Sequence, residues 1–390
     1  MKKISFIGLA VLLLLSGCAP RFEKQEEVVQ DADTDKSKET AIIPKYNISD
    51  KFYRAILPFE PAKARGLVVS NLNTRYDIEE FETGLMRVAQ KQFDPDQYLF
   101  QEGQNLGKKT VNLWLNRKFT DAQLKQENLE PEDNIGLNPL DPGKGDIDKR
   151  NEANPIYLAH ILEHDYLVKN KDNKVALGGV VIGLALNSIN YYQKEEFGAT
   201  YSNEIKNIEA EGRKIAQEVL KRLRQMEGLE EVPITIALFK QNEKSSVVPG
   251  NFISYTNIDQ GSNQIGKWEK VNEKYYIFPA DDKTKNKFRT DSNAFDGFKQ
   301  DVEKYFPNFN GVVGRAFYAE DQLQELDINI PIQFYGQSEA VSFTQYVTGL
   351  VMQHFPDYVS VQVSITSVNG PEALIVRKAD QEEPFVHIYN

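Results

Sequence analysis

The run His160-Ile161-Leu162-Glu163-His164 has the H-x-x-E-H spacing. In that pattern two imidazoles on one helical face hold a zinc ion and the carboxylate between them polarises a metal-bound water. Such a centre would make the chain a metal-dependent hydrolase with His160 and His164 as its ligands. The surrounding residues oppose a helix, because a KNKDNK turn and then the run VALGGVVIGLAL follow closely, as in a strand hairpin. On a strand Glu163 points away from both histidines, which are then expected to be half-exposed strand side chains. No third ligand is recognisable. Gly261 to Gly266 and Lys267 are spaced like a phosphate loop, but Trp268 stands where a magnesium-binding Ser or Thr belongs. A strand-like KVNEKYYIF follows in place of a helix N-terminus, so a hairpin turn is expected there. Asp141, Asp146 and Asp148 lack the alternating ligands and closing glutamate of a calcium loop, and a solvated loop is the expectation. These motifs give no catalytic residue, no metal ligand set and no cofactor.

The remaining candidate is Cys18, the only cysteine in the chain. Lys2, Lys3 and the terminal amine precede a nearly uninterrupted apolar stretch from Ile4 to Leu15. Spanning a bilayer takes about 20 apolar residues, so this shorter run is expected to be the core of a secretory signal. Leu15-Ser16-Gly17-Cys18 closes it and resembles the bacterial lipobox. There the small residues let an extended backbone enter a peptidase site, and the thiol of the first mature residue takes a diacylglyceryl group. Residues 1–17 are therefore expected to be a lipoprotein signal peptide and Cys18 the lipidation site. At about 0.8 kcal/mol per buried CH₂, one acyl chain anchors marginally and two hold stably. The competing possibility is an ordinary signal peptide with an incidental cysteine. Residues 18–45 are expected to be the lipidated cysteine and a disordered tether, because Glu23 to Thr40 is acidic and has almost no large apolar side chains.

A chain of 390 residues suggests about two domains, and a composition 41% hydrophobic and 26% charged is ordinary globular material. With one cysteine no internal disulfide can form. The net charge is −11, and loss of Lys2 and Lys3 with the leader makes it two units more negative. That charge repels nucleic-acid phosphates and excludes a nucleic-acid partner.

Beyond Ile42 the periodicity predicts four principal helices, each leading into a strand. Asp77 is expected to cap the first, whose face is Ile78, Phe81, Leu85 and Val88 and which stops at Phe93-Asp94-Pro95. The second is expected from Asn203 to Met226 and ends at Gly228. The third is capped by Asp291 or Ser292 and stops at Phe306-Pro307. Ser338 opens the fourth, which stops at Phe355-Pro356. Strands are expected at Tyr98–Gln101, Val232–Phe239, Val312–Tyr318 and Tyr358–Thr366. Between the first of these strands and the His160 hairpin, NLEPEDNIGLNPLDPGKGDIDKRNEANP reads as a long mobile loop. The order strand, strand, helix, strand occurs in both halves, with a further helix and strand upstream of each. This predicts an α+β fold of two related mixed α/β repeat domains, 46–242 and 243–390, behind a lipidated N-terminal tether.

Several stretches resemble one family, the CamS sex-pheromone lipoproteins of Gram-positive bacteria. They are LALNSINYYQKEEFGATY, RLRQMEGLEEVPITIALFKQ, SVVPGNFISYTN, DVEKYFPNFNGVVGRAFY, IPIQFYGQSEAVSFTQYVTGLVMQHFP and SVNGPEALIVRKADQEEPFVHIY. The resemblance implies a protein anchored on the outer face of the cell membrane through acylated Cys18, with lipoprotein-processing enzymes as its first partners. It also implies a second product, a short hydrophobic peptide drawn from about Leu9 to Gly17 of the freed leader. Here that stretch is a near-uniform leucine run, which offers a receptor few distinguishing side chains. The resemblance supplies no catalytic residue, so the mature body is expected to bind an envelope protein or a small molecule. A solute-binding lipoprotein with two lobes around a cleft is the other binding class.

Overall fold

The computed structural model describes residues 26–30, 39–44, 48–49, 51–305 and 311–389. Leu15, Ser16, Gly17 and Cys18 lie outside the described residues. In chain order the elements are β1 (Glu26–Gln30), β2 (Glu39–Ile43), β3 (Arg54–Ala55), α1 (Val68–Asn71), α2 (Arg75–Ala89), β4 (Tyr98–Glu102), α3 (Lys108–Leu115), α4 (Asp121–Glu127), α5 (Ile147–Ala153), β5 (Leu158–Lys169), β6 (Lys174–Asn187), β7 (Ile189–Gln193), β8 (Thr200–Glu204), α6 (Ile208–Leu223), β9 (Ile234–Gln241), β10 (Asn251–Ile258) and β11 (Glu269–Lys270). They continue with β12 (Glu273–Phe278), α7 (Asp282–Lys287), α8 (Arg289–Tyr305), β13 (Val313–Ala319), β14 (Gln322–Pro331), α9 (Gln337–His354), β15 (Ser360–Ser367), β16 (Gly370–Arg377) and β17 (Phe385–Ile388).

The apolar run of β6 follows from burial on both faces. Val180, Ile182, Leu184 and Leu186 pack with Trp114 of α3 and with Ile215, Val219 and Leu223 of α6. The intervening Val181 and Ala185 pack with Phe81 and Leu85 of α2. α2 and the turn after it press so closely that a Cβ on Gly179 would lie 2.2 Å from the Phe93 ring, and one on Gly183 would lie 2.8 Å from the Phe81 ring. The second sheet has a single large core. Phe295 and Phe298 of α8 and Phe343 and Val347 of α9 cover the alternating Val361, Val363 and Ile365 of β15.

The other face of the second sheet meets α2, which therefore lies between the two sheets. Tyr275 Oη donates to Glu80 Oε2 at 2.6 Å, and Arg87 pairs with Glu80 and, at 2.8 Å, with Glu273. The Arg87 guanidinium also stacks over the Phe317 ring at 4.7 Å.

The repeat is visible in strand order. The first, nine-stranded sheet runs β3-β4-β5-β6-β9-β10-β11, with β1 paired to β2 and to the end of β6, and the second runs β12-β13-β14-β15-β16-β17. Over the six strands from β4 to β11 and the six from β12 to β17, neighbours pair antiparallel except at one parallel step, β6 with β9 and β14 with β15, while the first sheet adds the parallel pairs β3 with β4 and β1 with β6. The helix crossing over that step is α6 in one sheet and α9 in the other. The upstream elements differ in order, because α2 precedes β4 whereas α8 follows β12. The sequence boundary at 242/243 also shifts. β10 and β11 belong to the first sheet, with Tyr255 paired to Ala237, so the sheets part between Lys270 and Glu273.

Other elements depart from the sequence expectations for local reasons. Thr74, not Asp77, caps α2, accepting the Asp77 N–H at 3.0 Å, which frees the buried Asp77 carboxylate to accept the Gly250 N–H at 2.8 Å. α6 starts at Ile208 because the preceding residues pair as β8 with β7. α8 begins at Arg289, so Asp291 and Ser292 lie inside it, and α9 begins one residue before Ser338. The long polar loop is ordered by α4 and α5, and by buried Asn138, which donates to the carbonyls of Leu115 and Leu158 at 2.8 and 3.0 Å. Within the stretch expected to be a structureless tether, β1 and β2 pair with each other because Val28, Ala41 and Ile43 are buried with Ile56, Leu99 and Leu167.

Candidate functional site

A mismatch in strand length creates the site. β5 has 12 residues and β4 has 5, so pairing runs only from Tyr98 opposite Val168 to Glu102 opposite His164. Beyond Gly103, whose N–H reaches the Glu163 carbonyl at 3.1 Å, the edge of β5 has no β4 partner. The segment 62–68 and α1 cross that edge instead. Lys63 N–H donates to the Gly103 carbonyl at 3.1 Å, and Ala62 N–H donates to Glu102 Oε2 at 2.6 Å, fixing the crossing. A cavity of about 180 Å³ remains underneath, closed by α2 on one side and the start of α3 on the other.

The strand expectation for the H-x-x-E-H run is met, and its consequence for zinc follows. His160, Leu162 and His164 share one face of β5, where Phe81 of α2 lies edge-on to His160 and Phe100 of β4 lies edge-on to His164, with centroids 4.9 Å apart in the second pair. Glu163 turns to the opposite face and accepts the Asn105 Nδ2–H at 2.6 Å and the Leu106 N–H at 2.7 Å, holding the entry to α3. Four strand steps of about 3.3 Å separate the histidines, too far for one ion. Among the described residues no group of three or more His, Cys, Asp or Glu side chains could hold a metal.

The histidines are buried rather than half-exposed, because α1, α2 and β4 cover that face. Burial pushes His160 down to about 4 and His164 down to about 3, so both imidazoles are neutral at physiological pH. His160 Nδ1 has Asn71 Nδ2 at 3.3 Å, whereas His164 Nδ1 has no hydrogen-bond partner. On the other face, burial and then the adjacent Glu163 carboxylate raise Asp165 well above the usual carboxylate range. At the rim, Arg65 stands 4.0 Å from Glu102, and partial desolvation and then Glu102 raise the pKa of Glu82.

The remaining sequence candidates are structural. The Gly261 loop joins antiparallel β10 and β11 as a turn, with Gly261 at φ +68°. Asp146 caps α5 through the Lys149 N–H at 3.0 Å, Asp141 pairs with Arg150 at 3.0 Å, and Asp148 accepts from Tyr192 and Lys194. Sequence reasoning missed Arg65, Glu82 and Glu102, which come from three separate segments and share no local spacing.

The sequence profile of the family described as CamS sex pheromone cAM373 precursor matches residues 59–383, which include the cavity and both sheets apart from β1 to β3 and β17. The chain belongs to the CamS family. The crystal structure of a CamS sex pheromone precursor from Lactobacillus salivarius subsp. salivarius UCC118 superposes with a TM-score of 0.81 at 35% identity, covering 90% of this chain and 99% of that one. The C-terminal domain of the sex pheromone staph-cAM373 precursor from Staphylococcus aureus superposes with a TM-score of 0.71 at 33% identity, covering 82% of this chain and 98% of that one. No curated protein matches the CamS chain.

Proposed function

We propose that this CamS protein is a surface lipoprotein anchored on the extracellular face of the membrane through diacylglyceryl-Cys18, with the leader as precursor of a short hydrophobic peptide. The observation that carries this reading is the Leu15-Ser16-Gly17-Cys18 sequence at the end of an apolar leader, in a chain of the sex pheromone precursor family. None of the described helices is long and apolar enough to cross a membrane. Signal peptidase cleavage before Cys18 frees residues 1–17, and trimming yields a peptide from about Leu9 to Gly17.

The body serves as a binding module, and the cavity beside β5 is its binding site. What supports this over zinc hydrolysis is that Glu163 is spent on the backbone before α3 while the histidines stay neutral and apart. The test of the anchor is the mass of the N-terminal tryptic peptide from membrane fractions, Cys18-Ala-Pro-Arg21. A diacylglyceryl adduct is expected. An unmodified or absent Cys18 peptide overturns both the anchor and the leader-peptide reading.

A further inference from the structure

We infer that the cavity beside β5 takes a small primary amine with an apolar body, its ammonium at the Glu82–Glu102 rim and its body against Met86, Phe100 and Leu106. This rests on the reading of the body as a binding module and adds the chemical class of the ligand.

Size comes first. At about 30 Å³ per water in the liquid, a cavity of about 180 Å³ holds the volume of roughly six waters, which suits a short branched alkyl chain. Its wall is mainly apolar, formed by Val68, Met86, Phe100, Leu106, Val111 and Leu162, so an apolar body gains by leaving water.

The polar groups sort the ligand by charge. The rim carries two carboxylates, Glu82 and Glu102, against one guanidinium, Arg65. Arg65 is divided among Glu102 at 4.0 Å, the ring of Phe59, whose centroid is 5.3 Å away, and Glu82, whose ionised form its charge favours without an ion-pair contact. Glu82 makes no ion pair among the described residues, and Glu102 already accepts from Ala62, so an ammonium supplies the charge that the rim lacks. A carboxylate would meet two like charges and would have to compete with them for the one guanidinium, Arg65. Deeper in, His164 is 3% exposed, lines the cavity and has an unpartnered Nδ1, and His160 sits two alternations away on the same face, beyond Leu162. Neutral imidazoles give an anion no compensating charge, and they offer a lone pair or an N–H according to tautomer.

Three probes of one carbon skeleton separate these terms: isoamylamine, isoamyl alcohol and isovalerate, titrated calorimetrically into the full mature chain. The amine is expected to bind most tightly, the alcohol about tenfold more weakly and isovalerate more weakly still. Glu82→Gln changes an exposed rim side chain and is expected to bring the amine down to the alcohol while leaving the alcohol unchanged. Met86→Trp fills the cavity and is expected to abolish binding of both. Isovalerate binding as tightly as the amine, or amine affinity unchanged in Glu82→Gln, overturns the charge assignment while binding that Met86→Trp abolishes keeps the module reading. Absence of binding by isoamylamine at millimolar concentration overturns the inference, and a broader ligand panel then decides the module reading separately.

Discussion

Acid is the sharpest probe of the two buried imidazoles on β5. In the unfolded chain each titrates near 6.5. In the native protein burial holds His164 at about 3 and His160 at about 4. A depressed histidine pKa contributes stability in full above about pH 6.5, and that contribution is lost as the pH falls toward the native value, because only the unfolded chain takes up the proton. Between about pH 7 and about pH 4.5, which stays above the native value of His164, one such group removes roughly 2–3 kcal/mol. That is a large part of the 5–15 kcal/mol typical of whole domains. Replacing His164 with Leu keeps an apolar side chain against Phe100 and deletes the proton site. Urea midpoints of the wild type and His164→Leu at the two pH values supply the comparison. The wild type should lose roughly 2–3 kcal/mol more than the variant on acidification, whatever their difference at neutral pH. Equal losses would refute the reasoning, since native His164 would then exchange its proton as freely as an unfolded one.

The opposite sign belongs to Asp165. Its raised native pKa means that stability is fully present below about pH 3.9 and lost as the pH rises, so Asp165→Asn should gain on the wild type by about 1.4 kcal/mol per pH unit until the native group ionises, read from the same urea series. Gly179→Ala should cost about 1–3 kcal/mol by thermal unfolding, because its Cβ would meet the Phe93 ring, which is stacked on Tyr166 with centroids 5.1 Å apart. Arg377→Ala strips hydrogen bonds from the carbonyls of Phe355, Pro356 and Val359, at 3.0, 2.5 and 3.1 Å, and should cost about 3 kcal/mol in a urea titration. Arg87→Met leaves the Glu80 carboxylate buried between the sheets without its cation and should cost about 3–5 kcal/mol, whereas an exposed pair such as Arg75–Glu79 changes stability little when broken.

The elements with strong local patterns were legible in the sequence. The alternation of β15 and the apolar faces of α2 and α6 each have one period and one partner layer, so periodicity alone located them. Boundaries failed where a tertiary contact decided them. Asp77 fits a cap by type, yet its carboxylate is claimed by Gly250, 173 residues away. The domain boundary failed for a related reason. The polar stretch after Gln241 reads as a linker, but β10 turns back onto β9, a pairing that strand alternation cannot assign to one sheet or the other. Within the site, the strand assignment of His160 to His164 gave the alternation of Glu163 correctly, but not the burial. That depends on α1 and the segment 62–68 lying across the edge, a placement set by hydrogen bonds to Gly103 and Glu102 from far upstream.

Six strands of the first sheet share the strand order of the second, but the two do not close their first seam alike. In the second sheet β12 pairs six residues with Gly314 to Ala319 and covers all but one residue of β13. In the first sheet, β4 stops short and leaves half of a longer β5 to be roofed by chain from elsewhere. A duplicated scaffold has thus become asymmetric through the length of a single strand. One copy is sealed by backbone pairing, and the other keeps an unzipped seam whose lining is set by side chains and crossing chain instead of by the ladder.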